Sequence, residues 1–307
     1  MAKEYDIVII GGGPAGLAAG LYAARARRST LIIEKNVTGG QIALTAEIEN
    51  YPGIDTINGF DLGQAMQKQA EKYGAEMAYT NVTSIEPQEG RHVIHTEEGD
   101  FLAKALIITA GADYNKLDIP GEERLTGYGV SYCATCDAAF FKDMEVAVVG
   151  CGDAALDEGL FVTRYASKVD VIHRRDQLRA SAVLQERAFA NKKMKFVWDT
   201  VVESIDGEKE VESLHTRNLK TGEVKDLPVS AVFIFIGQTP NSSFLDGLVK
   251  MDKGGHIIVN EWMETNVPGI FAAGDVRNNS ARQVVTSAGD GATAAIRADH
   301  YISEISA

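Results

Sequence analysis

Two segments of this chain repeat one pattern about 140 residues apart, and nothing else constrains its fold as tightly. YDIVIIGGGPAGLAAGLYAARARRSTLIIEK and MEVAVVGCGDAALDEGLFVTRYASKVDVIHRR each read as strand, glycine turn, helix, strand. That order opens a dinucleotide-binding α/β domain. Runs rich in Ile and Val predict strands at Asp6–Ile10, Leu31–Glu34, Leu106–Thr109, Glu145–Val149, Val169–His173 and Val232–Ile236. Helical patterning fills Pro14–Arg27 and Ala155–Ser167. Alternation of this kind predicts parallel sheets with helices on their faces. The C-terminal part, from about Phe244, has FAAGDV and a helical stretch Gly289–Ile302 but no third fingerprint, so it completes one of the two domains. The expected fold class is α/β, with two Rossmann-like, three-layer dinucleotide-binding domains, the second inserted in the first. The expected division is 1–114 with 244–307 for the outer domain and 115–243 for the inserted one, crossing near Asp113–Leu117 and Gln238–Phe244. At 307 residues the chain is long enough for two cores.

Charge and cysteine usage narrow the chemistry. A formal charge of −13 excludes nonspecific binding of nucleic acid, which needs a basic surface to displace counterions. No apolar run is long enough to cross a bilayer. The N-terminal MAKEYDIVIIGGG carries Glu4 and Asp6 and reads as a first strand, not a signal peptide. A cytoplasmic, reducing setting is expected. Only three cysteines occur, and two of them, Cys133 and Cys136, form a C-x-x-C pair followed by Asp137. In a reducing compartment such a pair is redox-active or holds a metal. Zinc needs two more ligands, and Cys151 and His173 do not supply a second pair, so no metal is expected. Cys151, inside the second glycine turn, reads as a small packed residue.

The fingerprints differ at the end of their second strands. Gly11, Gly13 and Gly16 allow the tight turn, the approach of a pyrophosphate and close helix packing, and the phosphates meet the helix N-terminus. Glu34 ends the second strand, where an acid binds ribose hydroxyls and selects a ribose without a 2′-phosphate, as in FAD or NAD. In the second unit, Gly150, Gly152 and Ala155 are followed by His173, Arg174, Arg175 and then Arg179. A basic cluster at that place repels nothing phosphorylated and holds a 2′-phosphate by guanidinium forks, so NADPH is expected over NADH. The C-x-x-C spacing lets the second thiolate release a mixed disulfide formed by the first. Asp137 reads equally as a helix-start carboxylate and as a proton donor.

Taken together, GGGPAG, GGQ followed by IENYPG, CATCD, GxGxxA then HRRDQLRA, FIGQTPN, FAAGDV and RQVVTSAGDG resemble the low-molecular-weight thioredoxin reductases of bacteria and archaea. The motifs run in that family's order over nearly the whole chain. The resemblance implies FAD in the split outer domain, NADPH in the inserted domain, a homodimer, and thioredoxin or a thioredoxin-like protein as partner. It implies that electrons pass from NADPH through FAD to the Cys133–Cys136 disulfide, with rotation of the inserted domain between half-reactions. Cys133 then resembles the thiol that attacks thioredoxin, Cys136 the one facing the flavin, and Asp137 the acid that protonates it. For FAD it implies Gly11, Gly13, Pro14, Ala15, Gly16, Glu34, Lys35, Gly39, Gly40, Gln41, Asn50, Val82, Gly111, Gly274, Asp275, Arg282, Gln283 and Val284. For NADPH it implies Gly150, Gly152, Asp153, Ala154, His173, Arg174, Arg175, Arg179, Ile236 and Gly237. Two departures stand out. Asp153-Ala154 lacks the hydroxyl common after the second turn's glycines, and Thr109-Ala110-Gly111-Ala112 permutes a small-residue turn. Relatives that use NADH or ferredoxin, or another thioredoxin-like or glutaredoxin-like acceptor, form the competing reading.

Overall fold

A computed structural model describes residues 2–45, 47–88, 90–245 and 247–306. The chain opens with β1 (Lys3–Ile10), α1 (Pro14–Arg25) and β2 (Thr30–Glu34). It continues through α2 (Gly59–Lys72), β3 (Glu76–Tyr79), β4 (Val82–Gln88), β5 (Arg91–Thr96) and β6 (Gly99–Ile108). A short strand β7 (Ala112–Tyr114) leads away to α3 (Glu122–Leu125), β8 (Val130–Ser131), α4 (Ala134–Asp137), β9 (Glu145–Val149), α5 (Asp153–Val162) and β10 (Lys168–Ile172). Then follow α6 (Ala182–Ala190), β11 (Met194–Val197), β12 (Thr200–Asp206), β13 (Ser213–Asn218), β14 (Val224–Pro228) and β15 (Ala231–Ile234). The chain returns by β16 (Gln238–Pro240) to β17 (Ile270–Ala272) and α7 (Val284–Ile305).

Two compact units result, Met1–Asp113 with Thr239–Ala307, and Tyr114–Gln238. The return crossing lies at Gln238–Thr239, ahead of the boundary at 244 read from the sequence. The physical reason is that β16 pairs with β7, so the chain is committed to its outer unit as soon as that ribbon forms. Asn241 extends it, donating its N–H to the Gly111 carbonyl and its side-chain amide to the Ala110 carbonyl, both at 3.0 Å.

In the first unit, β3, β2, β1 and β6 lie side by side, and β17 also pairs with β6, all in parallel. β5 and β4 continue the sheet antiparallel from the N-terminal half of β6. Ile7 and Ile9 face the helical side, beneath α1 and α7, while Val8 and Ile10 face the opposite side of the sheet. Gly291 of α7 has no room for a Cβ, which would strike the Ala15 carbonyl, so α7 beds directly on α1. The second unit repeats the plan with β11, β10, β9, β15 and β8 in parallel, plus a separate antiparallel sheet of β12, β13 and β14. The helices end sooner than their patterning suggests. α1 stops at Arg25 because Arg27 takes a left-handed φ of 64°, and α5 stops at Val162, before the turn through Thr163–Tyr165. No helix among the described residues is long and apolar enough to cross a membrane.

Candidate active site

Both glycine fingerprints sit in the turn between a buried parallel strand and its helix. In the first, Gly11 has φ 111° and lies so close to Thr109 that any Cβ would hit its carbonyl. A Cβ at Gly16 would collide with the Gly11 carbonyl. Gly13, in contrast, faces open space apart from the Gly39 carbonyl at 3.9 Å from a notional Cβ. In the second turn, Gly150 has φ 142° and is closed in by Phe235, whereas a Cβ at Gly152 would meet nothing. The first turn thus has two glycines forced by the chain's own backbone and the second has one, and each has one that leaves an approach clear. α1 and α5 both begin without a side-chain cap. α2 differs, since Asn58 accepts the Phe60 N–H at 2.9 Å. The first-turn N–H groups of α1 and α5 therefore stay available to a phosphate.

Glu34 is buried at the end of β2, where Oε2 accepts the Gly12 N–H at 2.6 Å and Oε1 the Asn36 N–H at 2.8 Å. A carboxylate has about four lone-pair sites, so two remain for ribose hydroxyls. Lys35 beside it is exposed. Gly39 and Gly40, with φ 111° and 58°, bring GGQ against the fingerprint: the Gly39 N–H donates to the Gly12 carbonyl at 2.8 Å. Gln41 donates to Asp113 at 2.7 Å, and Asn50 to Gln283 at 3.3 Å, so residues far apart in sequence meet at this edge. Gly111 takes φ 68°. Gly274, at φ 77°, lies against Ala15, and its N–H donates to Asp290 at 3.2 Å. Asp290 also holds Arg277 through two bonds, at 2.7 and 2.9 Å, and this fixes the segment bearing Asp275. Burial pushes the Asp275 carboxyl up, partly offset by the Ser280 hydroxyl at 2.7 Å. Asp275 and Arg282 (φ 57°) line a cavity of about 260 Å³. Gln283 precedes α7 in extended conformation as its N-cap, and Val284 begins the helix. Val82 is buried in the core, which leaves only its main chain for a ligand.

In the second unit the carbonyl of buried Cys151 accepts the N–H groups of Arg179 and Ala180 at 3.0 and 3.1 Å. Asp153 accepts the Ser181 N–H at 2.6 Å. Asp153, the first residue of α5, thus ties the arginine-bearing loop to the glycine turn, and Ala154 follows it in the helix. Arg174, Arg175 and Arg179 are exposed around a cavity of about 330 Å³. His173 is buried, its Nε2 without a hydrogen-bond partner among the described residues. Burial, then the three arginines, holds it below the usual imidazole range, so it is neutral at pH 7. Ile236 is partly exposed, and Gly237 (φ 109°) accepts the Asn115 N–H at 3.0 Å.

Cys133 and Cys136 form a disulfide across the start of α4, with Cα atoms 5.3 Å apart. Cys133 caps the helix in extended conformation, and its N–H donates to Ser131 at 3.1 Å. The Ser131 hydroxyl donates to Asp137 at 2.5 Å. Asp137 is largely sequestered, and burial raises its carboxyl above the usual range, against the lowering effect of Ser131. Three supports of this turn lie outside any motif. Glu158 of α5 accepts the Ala134 N–H at 3.2 Å. Buried Glu122 accepts the Tyr132 hydroxyl at 2.8 Å, and Tyr132 stacks on Tyr114 with centroids 5.1 Å apart. No motif pattern marks Glu158, Glu122 or Tyr114, because tertiary folding alone brings them to this turn. Among the described residues, no group of three or more His, Cys, Asp or Glu is placed to hold a metal ion.

Residues 5–291 match the family model described as pyridine nucleotide-disulphide oxidoreductase. A thioredoxin reductase of Peptoclostridium litorale is 46% identical, covering 99% of each chain. The crystal structure of thioredoxin reductase from Streptococcus pyogenes, 46% identical, covers 99% of this chain and 100% of its own, with a TM-score of 0.96. That from Lactococcus lactis, described as in its FR conformation, is 47% identical over 98% and 99%, with a TM-score of 0.67. The chain belongs to the pyridine nucleotide-disulphide oxidoreductases, in their low-molecular-weight thioredoxin reductase branch. As a member of that family it is a flavin-dependent oxidoreductase of two-domain Rossmann type, with FAD and NADPH as cofactors. The open approaches at Gly13 and Gly152, the uncapped helices and the spare lone pairs of Glu34 fit those groups.

Proposed function

We propose that the chain reduces the disulfide of thioredoxin or a thioredoxin-like protein at the expense of NADPH, as a homodimer in the cytoplasm. The observation that carries this reading is the Cys133–Cys136 disulfide set beside the sequestered carboxyl of Asp137. When bound, NADPH supplies a hydride and FAD relays its electron pair to that disulfide. Gly11, Gly13, Gly16 and Glu34 hold the first nucleotide, and Gly150, Gly152 and the arginines hold the second.

The chain's own residues then carry the exchange. Two electrons and one proton open the disulfide to a Cys133 thiolate and a Cys136 thiol. Asp137, kept protonated nearer neutrality by burial, delivers a proton to the Cys136 sulfur. The Cys133 thiolate attacks one sulfur of the partner's disulfide and releases the other as a thiolate. Cys136 attacks Cys133 in turn, re-forming the internal disulfide and freeing the partner's second thiol. The exposed Thr135 hydroxyl, 3.4 Å from the Cys133 sulfur, can donate to a thiolate there.

Rotation of the second unit about the β7–β16 ribbon would alternate its nucleotide site and its dithiol at one flavin. The Lactococcus lactis relative is described as being in an FR conformation, which supports conformational change as part of the reading. Anaerobic titration of the yellow protein with NADPH or NADH tests the reading. NADPH should bleach the flavin at far lower concentration, and oxidised thioredoxin should restore the colour. Bleaching by neither nucleotide, or colour that thioredoxin does not restore, rejects it.

A further inference from the structure

Lys220 and Asp199 belong to no motif, yet both line the cavity onto which Arg174, Arg175 and Arg179 open. Lys220 lies in the turn between β13 and β14, where Asn218 Oδ1 accepts its N–H at 3.0 Å. The Asn218 amide donates to the Trp198 carbonyl at 3.2 Å, which ties that turn to the segment after β11. Lys220 Nζ lies 2.8 Å from Asp176 Oδ2 and 3.0 Å from Asp199 Oδ2. Asp199 is held in the left-handed region (φ 53°), its N–H on the Arg175 carbonyl at 3.2 Å. Two carboxylates therefore stand among three guanidinium groups, and one ammonium holds both.

This arrangement matters because a carboxylate is itself a good bidentate partner for guanidinium. Unpaired, Asp176 and Asp199 would compete for the arginines and repel a phosphate monoester, which carries close to two negative charges at neutral pH. We propose that Lys220 is a specificity-determining positioning residue for the 2′-phosphate of NADPH. By neutralising Asp176 and Asp199 it leaves the three arginines to the phosphate. The inference rests on reading this cavity as the 2′-phosphate site. Lys220 acts through the two acids and need not touch the ligand.

Calorimetric titration of the holoenzyme with adenosine 2′,5′-bisphosphate and with adenosine 5′-monophosphate tests this without turnover. Lys220→Met should weaken the bisphosphate about three- to tenfold, an effect sized by partly exposed ion pairs, and leave the monophosphate unchanged. Lys220→Arg should bind as the parent does. The triple variant K220M/D176N/D199N should recover to within about twofold, since removing the acids removes the need for their counter-ion. Asn suits position 199 because it tolerates the left-handed backbone. Unchanged bisphosphate binding in K220M, or a triple variant as weak as K220M, overturns the proposal. A parent enzyme with no preference for the bisphosphate overturns the NADPH reading beneath it as well.

Discussion

The two fingerprint units share a backbone plan and diverge in three places. At the end of the second strand, the first unit buries Glu34 and bonds it to its own turn, while the second exposes arginines around a cavity. At the third motif position, the first unit needs Gly16 where the second accepts Ala155. Only the second carries a redox turn. One scaffold thus separates what all dinucleotides share, a pyrophosphate over a helix start, from what distinguishes them, the charge beside the ribose. The acid can be buried because its oxygens are satisfied by N–H groups, whereas guanidinium forks await a partner and stay in water.

The largest expected effect concerns the redox turn. Asp137→Asn should slow disulfide reduction in single-turnover experiments by roughly 10²–10⁴-fold, the range of general acid catalysis. In the parent, the proton-transfer step should slow as pH rises through the raised carboxyl value, because the protonated form is lost. Asn lacks that limb, and a variant that retains it would clear Asp137 of the role. Next, Gly16→Ala should cost about 1–3 kcal/mol in chemical denaturation and lose flavin, because its Cβ meets a carbonyl. The mirror change, Ala155→Gly, should cost only about 1 kcal/mol. Equal costs would dissolve this difference between the turns.

Arg174→Gln with Arg175→Gln should raise KM for NADPH by about 10–100-fold, as expected for lost charged hydrogen bonds, with KM for NADH and flavin content little changed. A parallel loss for both nucleotides would deny the arginines their selectivity. The smallest effect compares the antiparallel additions to the two units. His92 on β5 is buried with both ring nitrogens lacking partners among the described residues, whereas His215 on β13 is partly exposed and paired to Asp226 at 2.7 Å. Burial lowers the His92 value, so the fold favours its neutral form. Stability should be full above about pH 6.5 and fall on acidification below it, by at most ~1.4 kcal/mol per pH unit. His92→Leu should flatten that slope in denaturation at pH 7.5 and 5.5, and an unchanged slope would clear His92 of the effect.

Much of the fold was legible because glycine punctuation and apolar strands are local. Glu145–Val149 matches β9 residue for residue, and Glu34 stands at its strand end. The sheet of β12, β13 and β14 was not, because β14 is almost wholly exposed, the three strands lack a continuous Ile/Val run, and no fingerprint marks them. At the site, Cys133, Cys136 and Asp137 announce themselves by spacing. Ser131, Glu158 and Lys220 do not. Ser131 becomes a partner of Asp137 only when α4 turns back, and Lys220 reaches the arginine cluster only through folding, its bond to Asp176 spanning 44 positions.

The ribbon of β7 and β16 has one more consequence. Its strands run side by side, with Asn115 bonded to Gly237 at 3.0 Å, so the chain leaves the first unit and re-enters it at neighbouring points. To the first unit, everything between is a hairpin loop, closed at its neck and costing little more entropy for being long. A cassette attached in this way can be exchanged for another, or trimmed to a tight turn, without the host sheet registering the difference.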